Sequence, residues 1–182
     1  EICACLVGSE MCIRDRNNDK IGVIFFSDRI EKYIPPQKGR KHILYIIREM
    51  LDFHPQSKKT DVGMAVAYLT RVIKRRCTAF LLSDFYDRKD MLQVLEIANR
   101  KHDIMAIQVY DKRAKALPDI GLMKVRDAES GHEMYIDTSS SRLRTAHTRY
   151  WLDRQAVLGE TFAKSNVDWM SVATDEDYVR SM

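Results

Sequence analysis

Residues 77–87, CTAFLLSDFYD, decide the fold of this chain. The run CTAFLLS is continuously apolar over the length of one strand, with no polar alternation, and so reads as a strand buried on both faces. It halts at Asp84, with Asp87 three residues on. Upstream, residues 21–27, IGVIFFS, repeat the pattern and hand over to Asp28, and downstream residues 104–110, IMAIQVY, hand over to Asp111. Between these runs apolar residues recur at helical spacing. Residues 42–53 place Ile43, Ile46, Ile47, Met50 and Leu51 on one face, residues 61–75 do so with Val62, Ala65, Val66, Leu69, Val72 and Ile73, and residues 89–100 form the next helix. Alternating strands and helices predict an α/β domain with a mostly parallel sheet covered by helices on both faces.

Residues 30–34 alternate in polarity before Pro35-Pro36, which suits a short edge strand because proline cannot donate to a ladder. Residues 122–125 and 133–136 flank Glu129-Ser130-Gly131-His132 and predict a hairpin appended to the sheet. A long helix over 141–164, a strand over 168–172 and a helix beginning at 175–178 complete the order. No internal repeat, low-complexity tract or interdomain linker interrupts it.

The 182 residues suit one domain, and 45% hydrophobic with 31% charged residues is a globular composition. The net charge of +4 arises from 30 basic and 26 acidic residues spread along the chain, which gives no sign of nucleic acid. No apolar run approaches the roughly 20 residues that span a bilayer, and no signal-peptide pattern is present, so the reading is cytoplasmic without membrane insertion. Cys3, Cys5, Cys12 and Cys77 lack the paired spacing of a zinc site. Residues 6–16, LVGSEMCIRDR, resemble the translation of sequencing-adapter DNA at the end of an environmental read. Residues 1–16 are therefore read as a non-native segment, and 17–182 as a domain whose first strand lies further upstream.

In a parallel α/β sheet, ligands bind beyond the carboxyl ends of the strands. Ser27 and Asp28, Asp84 and Asp87, and Asp111 occupy such positions. Thr60-Asp61, just before a helix, adds a hydroxyl and a carboxylate that cap the helix at about 1 kcal/mol and could also meet a metal at that edge. Asp137-Thr138-Ser139-Ser140-Ser141 spells DxSxS but stands after these residues and before a helix, and so reads as a cap.

Beyond these local readings, three blocks resemble the bacterial family known as domain of unknown function 58: NNDKIGVIFFSDRIEKYIPPQKGRKHILYIIREM, SKKTDVGMAVAYLTRVIKRR and TAFLLSDFYD. RKHDIMAIQVYDKR, LPDIGLMKVRDAESGHEMYIDTSS and SVATDEDYV continue the match, so it runs from Asn17 nearly to Met182. The resemblance implies a von Willebrand factor A-like fold and a non-catalytic scaffold. Its implied partners are a MoxR-type AAA ATPase, other von Willebrand factor A-like proteins, or both. It also implies a metal-ion-dependent adhesion site, in which Thr60 matches the threonine and Asp84 the aspartate. The DxSxS motif and the first strand are absent from the expected place, so this chain is expected to bind Mg2+ weakly or not at all.

Two other functions compete with this one. Asp28, Asp84, Asp87 and Asp111 could converge on a two-metal phosphoesterase or nuclease site, although no phosphate-cradling glycine loop or evident general base accompanies them. Lys74-Arg75-Arg76 and the helix carrying Arg142, Arg144, Arg149 and Arg154 could meet nucleic acid. Helix-end cations and the interleaved Asp153 and Glu160 account for both more simply. The five histidines are scattered without pairing, and Trp151 and Trp169 read as packing residues.

Overall fold

The computed structural model describes residues 19–87, 89–126 and 131–175, and the backbone of residues 3–8. Strand β1 (Cys3–Gly8) is followed by β2 (Ile21–Phe26), β3 (Ile30–Gln37), α1 (Arg40–Asp52), α2 (Val62–Val72), β4 (Thr78–Ser83) and α3 (Leu92–Lys101). Then come β5 (Asp103–Tyr110), the single turn α4 (Lys112–Lys115), β6 (Leu122–Arg126), β7 (Glu133–Asp137), α5 (Ser141–Lys164) and β8 (Asp168–Ala173). The expected helix at 175–178 falls largely outside the described residues.

The main sheet has the order β3-β2-β1-β4-β5-β8. Strands β4, β5 and β8 are parallel neighbours, in register from Thr78 opposite Asp103 and from Met105 opposite Asp168. The sheet is nevertheless mixed rather than mostly parallel, because the β3–β2, β2–β1 and β1–β4 pairings are all antiparallel. The cause is β1. Since β2 and β4 each run opposite to β1, they run parallel to one another, with one strand's width between them. Ladder groups facing that space need partners, which a strand of either direction supplies. Cys3–Gly8 lies there, antiparallel to both neighbours.

β2 serves two cores, as its apolar run predicts. Ile24 and Phe26 join Val62, Ala65, Val66 and Leu69 of α2 and the buried residues of α3, β4, β5 and α5 in the larger one. Val23 and Phe25 face the other way, with Ile34 of β3 and Ile46 of α1. Helices thus lie on both faces. On α1, however, only Ile46 of the expected apolar face is buried; Ile43, Ile47 and Leu51 are exposed. β3 takes the sheet edge, as Pro35-Pro36 requires. Gly22 of β2 stands where any Cβ would meet the Ile34 carbonyl oxygen at 2.8 Å and the Pro36 nitrogen at 2.9 Å.

The hairpin differs from expectation in one respect: β6 and β7 pair with each other as a separate two-stranded sheet and do not extend the main one. Residues 127–130 of its turn lie outside the described set. Thr138 ties the hairpin's base together, its buried hydroxyl donating to the Gly121 carbonyl at 2.7 Å. Helix α5 then starts as expected, with the Ser140 hydroxyl accepting from the Leu143 N–H and the Asp137 carboxylate accepting from Ser139. The DxSxS spelling is therefore a cap. Trp151 is buried, and Trp169 packs on the core beside Phe162.

Candidate functional site at the carboxyl edge of the sheet

The strand ends that carry polar residues are joined by a chain of hydrogen bonds. The Asp61 N–H donates to the Ser27 carbonyl at 3.0 Å, fastening the entry to α2 onto the end of β2. The Asp61 carboxylate caps α2 through Oδ1, which accepts from the Met64 N–H at 2.8 Å. Asp87, from the loop after β4, accepts the Val62 N–H at 2.9 Å with Oδ2 and the Lys89 N–H at 2.9 Å with Oδ1. The Lys89 ammonium closes the circuit on Asp61 Oδ2. Asp90 makes a similar turn, accepting from the Leu92 N–H at 2.9 Å. These two carboxylate-centred turns delay α3, which begins at Leu92 rather than at the expected residue 89.

The β4–α3 loop is pinned from three sides. Phe85 has φ 54°, a left-handed conformation uncommon for an aromatic residue, and its side chain is fully buried against Phe162 with ring centroids 5.2 Å apart. The Ser83 hydroxyl accepts the Phe85 N–H at 3.0 Å, and Asp84 Oδ1 accepts the Tyr86 N–H at 3.1 Å. Buried Gln108 bridges strands, accepting from the Ser171 hydroxyl at 3.0 Å and donating to the Asp84 carbonyl at 3.4 Å. From α5, Arg154 donates to the Phe85 carbonyl and lays its guanidinium 4.1 Å from the centroid of the exposed Tyr86 ring. Beside this pair a trough of about 330 Å³ opens between the loop and α5, walled by Met91, Val157 and Leu158.

Electrostatics follow the same contacts. Lys89 is raised above the ordinary lysine value, chiefly by its hydrogen bond to Asp61, then by the charges of Asp61, Asp87 and Asp28. Asp28 is lowered, first by the Ser57 hydroxyl, against a smaller opposing effect of burial and with further help from Arg29. Asp111 is spent on capping the short α4, accepting from the Arg113 N–H at 2.8 Å.

The implied magnesium site can be tested on this donor set. A hard cation of this kind takes six oxygens in near-octahedral order. Thr60 stands half-buried next to Asp61, but Asp84 turns its Oδ1 to the Tyr86 N–H, Asp61 and Asp87 hold backbone amides, and an ammonium already lies among them. Among the described residues no group of three or more His, Cys, Asp or Glu side chains could hold a metal. The donors present do not fit the ion. The same observation leaves the two-metal hydrolytic arrangement of Asp28, Asp84, Asp87 and Asp111 without support.

The basic residues divide between roles. Arg144 donates to the Thr138 and Ser139 carbonyls and Arg154 to Phe85, so two of the arginines of α5 hold loops in place. Lys74-Arg75-Arg76 lies exposed, past the end of α2. At the opposite edge of the sheet, Cys77 Sγ lies 3.2 Å from Nδ1 of the fully buried His102. Burial raises the thiol and lowers the imidazole, which keeps this a neutral pair rather than a reactive thiolate. Sequence reading missed Tyr86, Lys89 and the buried Gln108, because their roles depend on contacts between distant elements. The loop composition DFYDRKD carries a faint sign of them in its closely spaced acids and aromatics.

Among the described residues, no helix is long and apolar enough to cross a membrane. "Uncharacterized protein Rv1480" of Mycobacterium tuberculosis (strain ATCC 25618 / H37Rv) is 27% identical over 165 residues, 88% of this chain and 51% of that protein. The chain thus spans about half the length of that relative. "Uncharacterized protein MAV169" of Mycobacterium avium is 27% identical over 150 residues, 80% of this chain and 87% of that protein. The fold is similar to that of the conserved hypothetical protein BatB from Bacteroides thetaiotaomicron, with a TM-score of 0.50 at 14% identity over 91% of this chain and 75% of that one. The family described as "Protein of unknown function DUF58" matches residues 1–157, and the chain belongs to that family.

Proposed function

We propose that this chain is a non-catalytic protein-binding domain of the von Willebrand factor A-like type. In this reading it works in the cytoplasm with a MoxR-type AAA ATPase or another von Willebrand factor A-like protein, and presents the carboxyl edge of its sheet to the partner. The observation that carries the reading is the Tyr86–Arg154 pair. An exposed tyrosine lies under a guanidinium that is itself fastened to the Phe85 carbonyl, so both groups are held in place before a partner arrives. Tyrosine and arginine at the centre of an interface supply much of its binding energy, and prior ordering lowers the entropic cost of association. Val157 of the adjoining trough adds exposed apolar surface beside them. The acid side chains of this edge are occupied with turns and caps, which favours a rigid recognition surface over a hydrolytic centre.

The test is an affinity measurement by calorimetry against a purified MoxR-type AAA ATPase. Tyr86→Ala and Arg154→Ala are each expected to weaken binding about tenfold or more, the effect of losing roughly 1.4 kcal/mol. Unchanged affinity in both variants, with their melting curves intact, would remove this edge from the interface.

A further inference from the structure

The edge contains one cation that nothing in the resemblance accounts for. Lys89 is held at both ends: its backbone N–H by Asp87 Oδ1 at 2.9 Å and its ammonium by Asp61 Oδ2. Its two holders are themselves fixed. Asp61 is anchored by the Ser27 carbonyl and the Met64 N–H, and Asp87 by the Val62 N–H. The ammonium is thus placed by the loop and the start of α2 together, although the side chain remains 66% exposed. Asp28 adds a third negative charge to its surroundings and Arg29, 3.6 Å from Asp28, a second positive one.

A divalent ion entering here would have to displace the ammonium or accept its repulsion, and would find carboxylate oxygens already taken by backbone amides. The donor set and the implied magnesium ion disagree, and the disagreement centres on one residue. We propose that Lys89 is a tethered cation standing in for the metal, so that the edge keeps its loop geometry and charge balance without a divalent ion. This rests on the partner-binding reading only for the use to which the edge is put; the charge substitution belongs to the free protein.

The experiment is thermal melting of the full chain, of Lys89→Arg and of Lys89→Met, each in chelator and in millimolar Mg2+, with Mn2+ electron paramagnetic resonance on the unaltered chain. The unaltered chain and Lys89→Arg are expected to melt alike in both buffers and to leave Mn2+ free in solution. Lys89→Met is expected to melt about 1–3 °C lower in chelator and to regain none of that loss in Mg2+, because among the described residues no three carboxylates could hold the ion. Bound Mn2+ in the unaltered chain would overturn the proposal, and this measurement holds even if Lys89→Met fails to fold. A Lys89→Met protein that melts like the unaltered chain, or one that Mg2+ restores, would overturn it equally. If the ion pattern holds while no ATPase binds, the partner-binding reading alone falls.

Discussion

The Asp87 carboxylate accepts the Val62 N–H at 2.9 Å, so the first turn of α2 is tied to the loop that leaves β4, 25 residues further along the chain. The same carboxylate shapes its own loop through the Lys89 N–H. One side chain therefore holds two of the segments from which the carboxyl edge is built. Asp87→Ala leaves both amides without this acceptor and is expected to cost about 1–2 kcal/mol. Asp84→Ala, which loses the acceptor of the Tyr86 N–H, should cost less. Urea unfolding of the two variants measures the difference, and equal midpoints would show that Asp87 does not join the segments energetically.

His102 is fully buried, and burial, aided by the charge of Lys101, holds its imidazole below the ordinary value of 6.5. Between the folded and unfolded pKa values the unfolded chain binds more protons, so stability rises with pH across that window. The contribution is complete above pH 6.5 and is lost as pH falls below it toward the depressed folded value. Melting midpoints taken between about pH 8 and about pH 5 should fall more steeply for the unaltered chain than for His102→Leu, which has no proton to take up. Parallel slopes would mean that another group governs the acid limb.

At the edge strand, Gly22 is set by space rather than by dihedral freedom. A methyl group there would press on backbone atoms of Ile34 and Pro36, which cannot swing aside as a flexible side chain could. The pairing register of β2 and β3 already shifts between Ile21 and Val23. Gly22→Ala is expected to destabilise by about 1–3 kcal/mol through this overpacking. A melting midpoint equal to that of the unaltered chain would indicate that β3 moves away at no cost.

How much of this was legible in the sequence depends on the range of the interactions involved. The apolar runs that became β2, β4 and β5 are local signals, as are the caps at Asp61 and Ser140, and each stands where the residues place it. Strand β1 was not legible, because residues 1–16 read as a non-native segment, whereas Cys3–Gly8 pairs with both β2 and β4. The exposed flank of α1 was not legible either: helical spacing marks Ile43, Ile47 and Leu51 as one stripe but says nothing of what covers it. Within the site, Thr60, Asp61, Asp84 and Asp87 could be placed at the carboxyl edge from the strand-end rule. The Lys89–Asp61 pair spans 28 residues and the Arg154–Phe85 contact 69, and no periodicity links residues so far apart.

If the carboxyl edge is the partner-binding surface, hydrogen–deuterium exchange of the chain with and without a purified MoxR-type ATPase will reveal it. Slowed exchange is predicted for the amides of Tyr86, Lys89 and the first turn of α2, with the Cys77–His102 end of the sheet unchanged. Slowing confined to that opposite end, or no slowing anywhere at saturating ATPase, would place the partner elsewhere or exclude it.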